Sequence, residues 1–376
     1  MAKCAINIEL ESSSARYTPG QVIRGVVTVA VDSDVKCNGL SVDLVWRTHG
    51  RGNRRSEIAM ELTLFEGQWA AGQDISYPFE FTLPNGPMSY HGHYLNVDWY
   101  VRATADIPWA IDPKAEQEIL LEPGPQFDPM TYIGGGDGGD DVFDKRRAND
   151  GIPSKVLLVF SLPFMLVGLG ILAFGIFGSD ADGRIGLLLF GLVIFLAGFM
   201  VCYSALRNTL AAKKLGAIRL AWPEQPIQRG ESYPLTLHCN SLKNLNAVNM
   251  TLICRETVVS GSGTDRTTYT HEVFSAPIQM KQASDIGERL SMEASIVLPH
   301  DAAPSFYADD NELSWIIAVH IDVARWPDWK RELYLNVLPG VVGAERDAAP
   351  VVFADDTPAL VEPARVEEAQ KNNEWW

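Results

Sequence analysis

The stretch from Lys155 to Arg207 limits what this chain can fold into more than any other. Val156 to Phe177 is 22 residues without a charge, and Ile185 to Tyr203 is a further 19. A polar turn, Gly178-Ser179-Asp180-Ala181-Asp182-Gly183-Arg184, separates them. About 20 apolar residues, each rising about 1.5 Å along a helix, cross the roughly 30 Å of hydrocarbon in a bilayer. Both runs meet that length. Pro163 and the glycines are compatible with it, since membrane helices tolerate both. The alternative, a buried hairpin of a soluble protein, calls for a polar face that neither run has. The pattern predicts a helical hairpin over 155–207 that crosses a membrane twice, with spans at 156–177 and 185–203.

Lys145, Arg146, Arg147 and Lys155 precede the first run, and Arg207, Lys213, Lys214 and Arg219 follow the second. The turn carries only Arg184, beside Asp180 and Asp182. Basic residues stay on the cytoplasmic side, so both flanks are expected there and the turn outside. The N-terminal MAKCAINIEL has no long apolar core and no cleavage site, so no cleaved leader is expected. The expected location is a cell or inner membrane, with both termini and both flanking blocks cytoplasmic. The bilayer is then one partner.

The formal charge of −16 and pI near 4.9 argue against nucleic acid, whose phosphates need a basic surface. Cys4, Cys37, Cys202, Cys239 and Cys254 form no CxxC pair and no even framework, a pattern of reduced compartments.

Residues 1–124 read as short strands between turns, the signature of a β-sandwich. Ala5 to Leu10 alternates; Val22 to Val31 is β-branched; Gly39 to Trp46 places apolar residues at 40, 42, 44 and 46. Ile58 to Phe65, Tyr77 to Leu83, Leu95 to Ala103 and Glu116 to Leu121 complete the set. Within this order stand Tyr17-Thr18-Pro19-Gly20-Gln21-Val22-Ile23-Arg24-Gly25, then Leu64-Phe65-Glu66-Gly67, then Tyr77-Pro78-Phe79-Glu80-Phe81-Thr82-Leu83-Pro84. Gly86-Pro87-Met88-Ser89-Tyr90-His91-Gly92 and Leu95-Asn96-Val97-Asp98-Trp99-Tyr100-Val101-Arg102-Ala103 follow. The run resembles the arrestin-like family, with Trp99 where an aromatic, often Tyr, is usual. The resemblance covers about 100 residues and implies an immunoglobulin-like sandwich lobe of a protein that works by binding.

Residues 216–340 echo the first block. Ser89 matches Ser305, Trp99 matches Trp315, Asp106 matches Asp322, Asp112 matches Asp328 and Pro123 matches Pro339, all at an offset of 216. Leu83-Pro84 matches Leu298-Pro299; Leu44-Val45-Trp46-Arg47 matches Leu252-Ile253-Cys254-Arg255 with an indel. Such repeats mark duplicated modules. The expected fold is mainly β: two tandem arrestin-like sandwiches flanking the hairpin. The resemblance implies an N-lobe and a C-lobe. The family's short connector is replaced by the hairpin, so its hinge mechanism does not carry over.

Residues 125–154 contain Gly134-Gly135-Gly136-Asp137-Gly138-Gly139-Asp140-Asp141. No Walker lysine is present and the aspartates repel phosphate, so this reads as a flexible linker rather than a phosphate loop. It also lacks calcium-loop spacing. No GxSxG, HExxH or dinucleotide motif occurs, so no catalytic residue, cofactor or enzyme activity is expected. His91-Gly92-His93 is the closest histidine pair. On one strand both rings would share a face, but spacing supplies no third ligand, and no metal is expected. His238-Cys239 with Cys254 is a further grouping, in which the cysteines read better as small core residues.

Arg47, His49, Arg51, Arg54 and Arg55 form a basic run in an acidic chain. Arg51, Arg54 and Arg55 are candidate contacts for an acidic or phosphorylated segment or anionic lipid headgroups, against the plain alternative of a solvated hairpin. Trp109 and Trp326-Pro327-Asp328-Trp329 occupy matched corners, packing by default and a docking patch if exposed. The acidic tail, 341–376, reads as disordered over its first part. It ends in Trp375 and Trp376, which would anchor at the bilayer interface or plug a groove on a lobe or partner. The leading function is a membrane-anchored, non-enzymatic adaptor that binds and regulates a protein partner. The alternatives are an accessory subunit of a larger membrane complex assembled through the hairpin, and a hydrolase on a sandwich scaffold.

Overall fold

The computed structural model describes residues 3–124, 127–128, 131–132, 134, 154–178, 181–215, 218–223, 226–239, 245–280, 284–286, 289–339 and 348–353. The first sandwich is built from β1 (Cys4–Leu10), β2 (Arg16–Tyr17), β3 (Val22–Val31), β4 (Val35–Gly50), β5 (Ser56–Trp69), β6 (Asp74–Thr82), β7 (Tyr90–His91), β8 (Leu95–Asp106) and β9 (Lys114–Leu121). One sheet runs β1-β3-β6 and the other β2-β9-β8-β4-β5, with β7 added on β8. The alternation does the folding: on β3, Ile23, Val27, Val29 and Val31 are buried while the residues between them face outward. The inner faces meet around Trp69, Trp99, Leu40, Leu44 and Ile119, all fully buried.

The second sandwich repeats this plan. Its strands are β10 (Ile218–Pro223), β11 (Ile227–Gln228), β12 (Ser232–Cys239), β13 (Leu245–Ser260), β14 (Thr267–Pro277), β15 (Ser284–Ile286), β16 (Arg289–Val297), β17 (Phe306–Ala308), β18 (Asn311–Val323), β19 (Trp329–Leu335), β20 (Val337–Leu338) and β21 (Ala348–Phe353). One sheet is β15-β16-β12-β10-β21; the other is β14-β13-β18-β17, with β19 on β18. The short parallel pair β2–β9 of the first lobe has its twin in β11–β20.

Between the sandwiches stand α1 (Ser154–Phe177) and α2 (Ala181–Leu215). Leu157–Phe177 and Arg184–Arg207 are long and apolar enough to cross a membrane, and only 11% of each window is buried. A soluble core hairpin would be wrapped by protein; this one is not. The helices pack on each other through small residues. A Cβ on Gly168 would lie 2.5 Å from the Phe195 amide, and one on Gly198 2.9 Å from that of Met165. Arg184 closes the turn by donating to the Ile176 carbonyl at 3.0 Å. The second helix outlasts the apolar run that ends at Tyr203. Near its far end Tyr203 and Leu210 line a cleft with Arg325, Trp326 and Pro327 of the second sandwich.

Two expectations are corrected. The linker is not loose throughout: Phe127 is buried, Tyr132 packs on it at 5.5 Å, and Tyr307 donates its amide to Gly134 O at 2.8 Å. The aromatic side chains supply the burial that its glycines lack. The tail is not uniformly disordered either: β21 pairs antiparallel with β10, from Ile218 opposite Phe353 to Pro223 opposite Ala348. Its Val351-Val352-Phe353 run has strand propensity, and β10 offers an open edge.

Candidate functional site at the junction of the two sandwiches

The internal repeat is written in hydrogen bonds as well as letters. The Trp99 indole donates to Pro87 O at 2.7 Å, and its twin Trp315 donates to Ala303 O at 2.8 Å. Ser89 exchanges bonds with the Leu121 backbone, and Ser305 does the same with Val337. Asn38 bonds Asp106 at 3.3 Å and Asn246 bonds Asp322 at 3.0 Å. Arg47 forks onto Glu116, while Arg255 forks onto Glu332 at 3.1 and 3.3 Å. Trp109 and Arg325 turn the matched corners with φ of 61° and 63°. Trp109 is fully exposed, whereas Trp329 is buried, so the tryptophans at these corners do not share one role.

The two copies meet through the same parts of each: the β4–β5 and β13–β14 ends, and the loops before β8 and β18. Glu256 on β13 is the centre of this junction and is fully buried. It accepts the Tyr90 hydroxyl at 2.6 Å and the amides of His93 and Tyr94 at 3.0 and 2.7 Å, all from the first lobe. A buried carboxylate needs such donors, because no water replaces them. Gly92 makes the approach possible: a Cβ there would fall 1.7 Å from Glu256 Oε1. Burial, and then the bond to Glu256, raises the Tyr90 phenol far above its ordinary range. Burial and the same carboxylate push the Cys254 thiol up to about 12, which keeps it protonated and unreactive at neutral pH.

Around Glu256 the contacts are polar and aromatic. The Asn53 amide donates to Val259 O at 2.8 Å, and its side chain bonds Gly261 O and Asp310 at 2.9 and 2.8 Å. Asn311 returns a bond to Asn53 O at 2.7 Å. The Arg51 guanidinium lies 4.0 Å from the Tyr269 ring centre and 5.6 Å from that of Tyr94. His93 packs tilted against His271 with ring centres 4.3 Å apart, and Trp46 meets Phe306 edge-on at 5.9 Å.

The basic run is thus divided among different tasks. Arg51 clasps the second lobe, Arg55 lies 3.8 Å from Asp309 there, Arg47 holds Glu116, and Arg54 is exposed. Trp375 and Trp376 lie outside the described residues. The His91–His93 reading is corrected: the two rings do not share a strand face, because β7 ends at His91 and His93 turns to His271. His91 instead bonds buried Asp98 at 2.7 Å, whose other oxygen meets His49 at 2.5 Å. Sequence reasoning missed Glu256 and Asp98, since nothing local marks one acidic residue among 47. The one available signal for Glu256 was a charge at an apolar-facing strand position, in register with Met250, Leu252, Cys254 and Val258, whereas Asp98 stands on the polar face of β8 with Asn96, Tyr100 and Arg102 and carried no such signal.

The family described as Arrestin (or S-antigen), N-terminal domain, matches residues 66–123, which run from β5 to the end of β9. No curated protein matches the chain. Among solved structures it is similar to Spo0M, a sporulation control protein of Bacillus subtilis. That likeness has 21% identity and a TM-score of 0.29, and covers 34% of this chain and 52% of that one. The family match falls on the part of the first sandwich that carries the Trp99 and Ser89 bonds, which is similar to the arrestin N-terminal domain, and the chain sets that sandwich and a second β-sandwich around a helical hairpin.

Proposed function

We propose that this protein is a membrane-anchored, non-enzymatic adaptor whose joined lobes stand in the cytoplasm at the foot of a two-span hairpin. The arrestin-like fold supports a regulatory binding role in general. The observation that carries the specific reading is a bare apolar edge. On β5, the last strand of its sheet, Ile58, Met60 and Leu62 are exposed. An unpaired edge with apolar side chains is a ready template for an added strand or an apolar partner surface. Arg54 sits exposed in the loop leading into that strand and suits an acidic flank on the partner.

The length and apolar surface of α1 and α2 support the anchor, and the basic flanks support the orientation. The test is crosslinking from β5. A photo-crosslinker at position 60 of the full-length chain in native membranes should capture a discrete protein, and charge substitution at Ile58 and Leu62 should abolish that capture. The same capture from a form lacking 156–206 supports the adaptor. Loss with the hairpin, despite folded lobes, supports instead a subunit of a membrane complex.

A further inference from the structure

We infer that the outer face of the first lobe holds a site for one divalent first-row transition-metal ion, ligated by His91, Asp98 and Glu118. A ring nitrogen of His91, a carboxylate oxygen of Asp98 and one of Glu118 lie within 4.8 Å of one another. They come from β7, β8 and β9, so the sheet itself sets their spacing. One imidazole and two carboxylates is a mixed nitrogen–oxygen set, suited to Zn²⁺, Mn²⁺ or Fe²⁺. His91 and Glu118 are exposed, which leaves coordination positions open to water or to a ligand from a partner.

Charge makes the case beyond proximity. Asp98 is 2% exposed, and its ionic partners among the described residues are two imidazoles. The neighbouring guanidiniums are committed elsewhere, Arg47 to Glu116 and Arg102 to Asp43 at 2.7 Å. Glu118 has no ion pair among the described residues. Two carboxylates at this distance without a fixed cation repel each other, and a divalent ion neutralises both. His49, on the second oxygen of Asp98, is a positioning residue that would orient the ligand as outer-shell groups do.

The second lobe is an internal control. Strand register places Thr257, Tyr307, Ser314 and Tyr334 where the first lobe has His49, His91, Asp98 and Glu118. The same sandwich therefore forms with none of these ligands. The cluster is an addition to the first copy, not a requirement of the fold.

The full-length chain in detergent, stripped with a chelator, is titrated with Mn²⁺ by electron paramagnetic resonance and with Zn²⁺ by calorimetry. One ion per chain is expected. His91→Gln and Glu118→Gln should each weaken it at least tenfold, and His49→Gln less than either. Glu118→Tyr copies the second lobe and keeps a folded control, whose unchanged melting without metal separates lost binding from lost structure. Failure to bind one ion, or binding that survives both His91→Gln and Glu118→Gln, overturns the site.

Discussion

Glu256 of the second sandwich accepts the Tyr90 phenol of the first at 2.6 Å, and the same carboxylate caps the amides of His93 and Tyr94. One buried charge thus holds three donors across a lobe boundary. Glu256→Gln puts an amide nitrogen where an acceptor is needed. It should cost about 2–4 kcal/mol, against about 1–2 kcal/mol for Tyr90→Phe. Denaturant melts of the full chain check this, and the double variant should lose less than the sum because the partners are shared. Equal stability of Glu256→Gln and wild type would remove the clasp.

Gly92 is required by that contact. With a Cβ 1.7 Å from Glu256 Oε1, Gly92→Ala must push the loop or the carboxylate aside. The expected loss is about 3 kcal/mol, at the upper end of overpacking effects. At Gly39 an added Cβ meets nothing within 4 Å, so Gly39→Ala should be nearly silent in the same melt.

The duplicated tryptophans should behave as twins. Trp99→Phe and Trp315→Phe each remove an indole donor from a backbone carbonyl, buried Pro87 O in one lobe and half-buried Ala303 O in the other. Each should lower stability by about 1–3 kcal/mol. Hydrogen exchange should localise each effect to its own lobe. Matching losses would show that the repeat duplicates energetics as well as geometry.

The Arg47–Glu116 pair makes a pH prediction. The hydrogen bond from Arg47 holds the Glu116 carboxyl below its ordinary value. A depressed folded-state value gives stability that is fully present above the unfolded pKa, about 4.3. It is lost as pH falls through the lower folded value. The difference in melting temperature between wild type and Arg47→Met should therefore be constant from pH 7 to 5 and shrink below pH 4. A gap that does not narrow in acid would assign the loss to packing against Tyr100, 4.8 Å from the guanidinium, instead of charge.

Orientation is tested at the hairpin turn. Ala181→Cys in intact cells should react with a membrane-impermeant maleimide from outside, while a cysteine at the exposed corner residue Trp109 should react only after lysis. The reverse pattern would place the lobes outside and end the cytoplasmic adaptor reading.

The sandwiches were legible because β-strands have a two-residue period. Ile23, Val27, Val29 and Val31 fall on one face whatever the rest of the chain does. In the first lobe the strands left out were β2 and β7, two residues each, too short for any period to show. The repeat was legible because Trp, Ser and Asp keep their spacing through the last third of each copy. Its cause was not: only the structure shows that Ser89 and Ser305 bridge to a strand about 32 residues onward.

The sites were hidden for a different reason. His91 and His93 looked like a pair because they are close in the chain, yet one faces Asp98 and the other faces His271 in the second lobe. Arg51 looked like a contact for an outside partner and is stacked on Tyr269.

The sequence by itself determined the hairpin's length and apolar surface, the strand-by-strand alternation and the duplication of one module. Those are properties of period and composition, carried within a few residues of each position. Tertiary structure alone decided that the copies join through Glu256, that the basic run is divided among several duties, and that Asp98 lies beside His49, His91 and Glu118. Sheet pairing brings together residues tens to hundreds of positions apart. A buried charge takes its meaning from the donors around it, and those arrive only when the chain has folded.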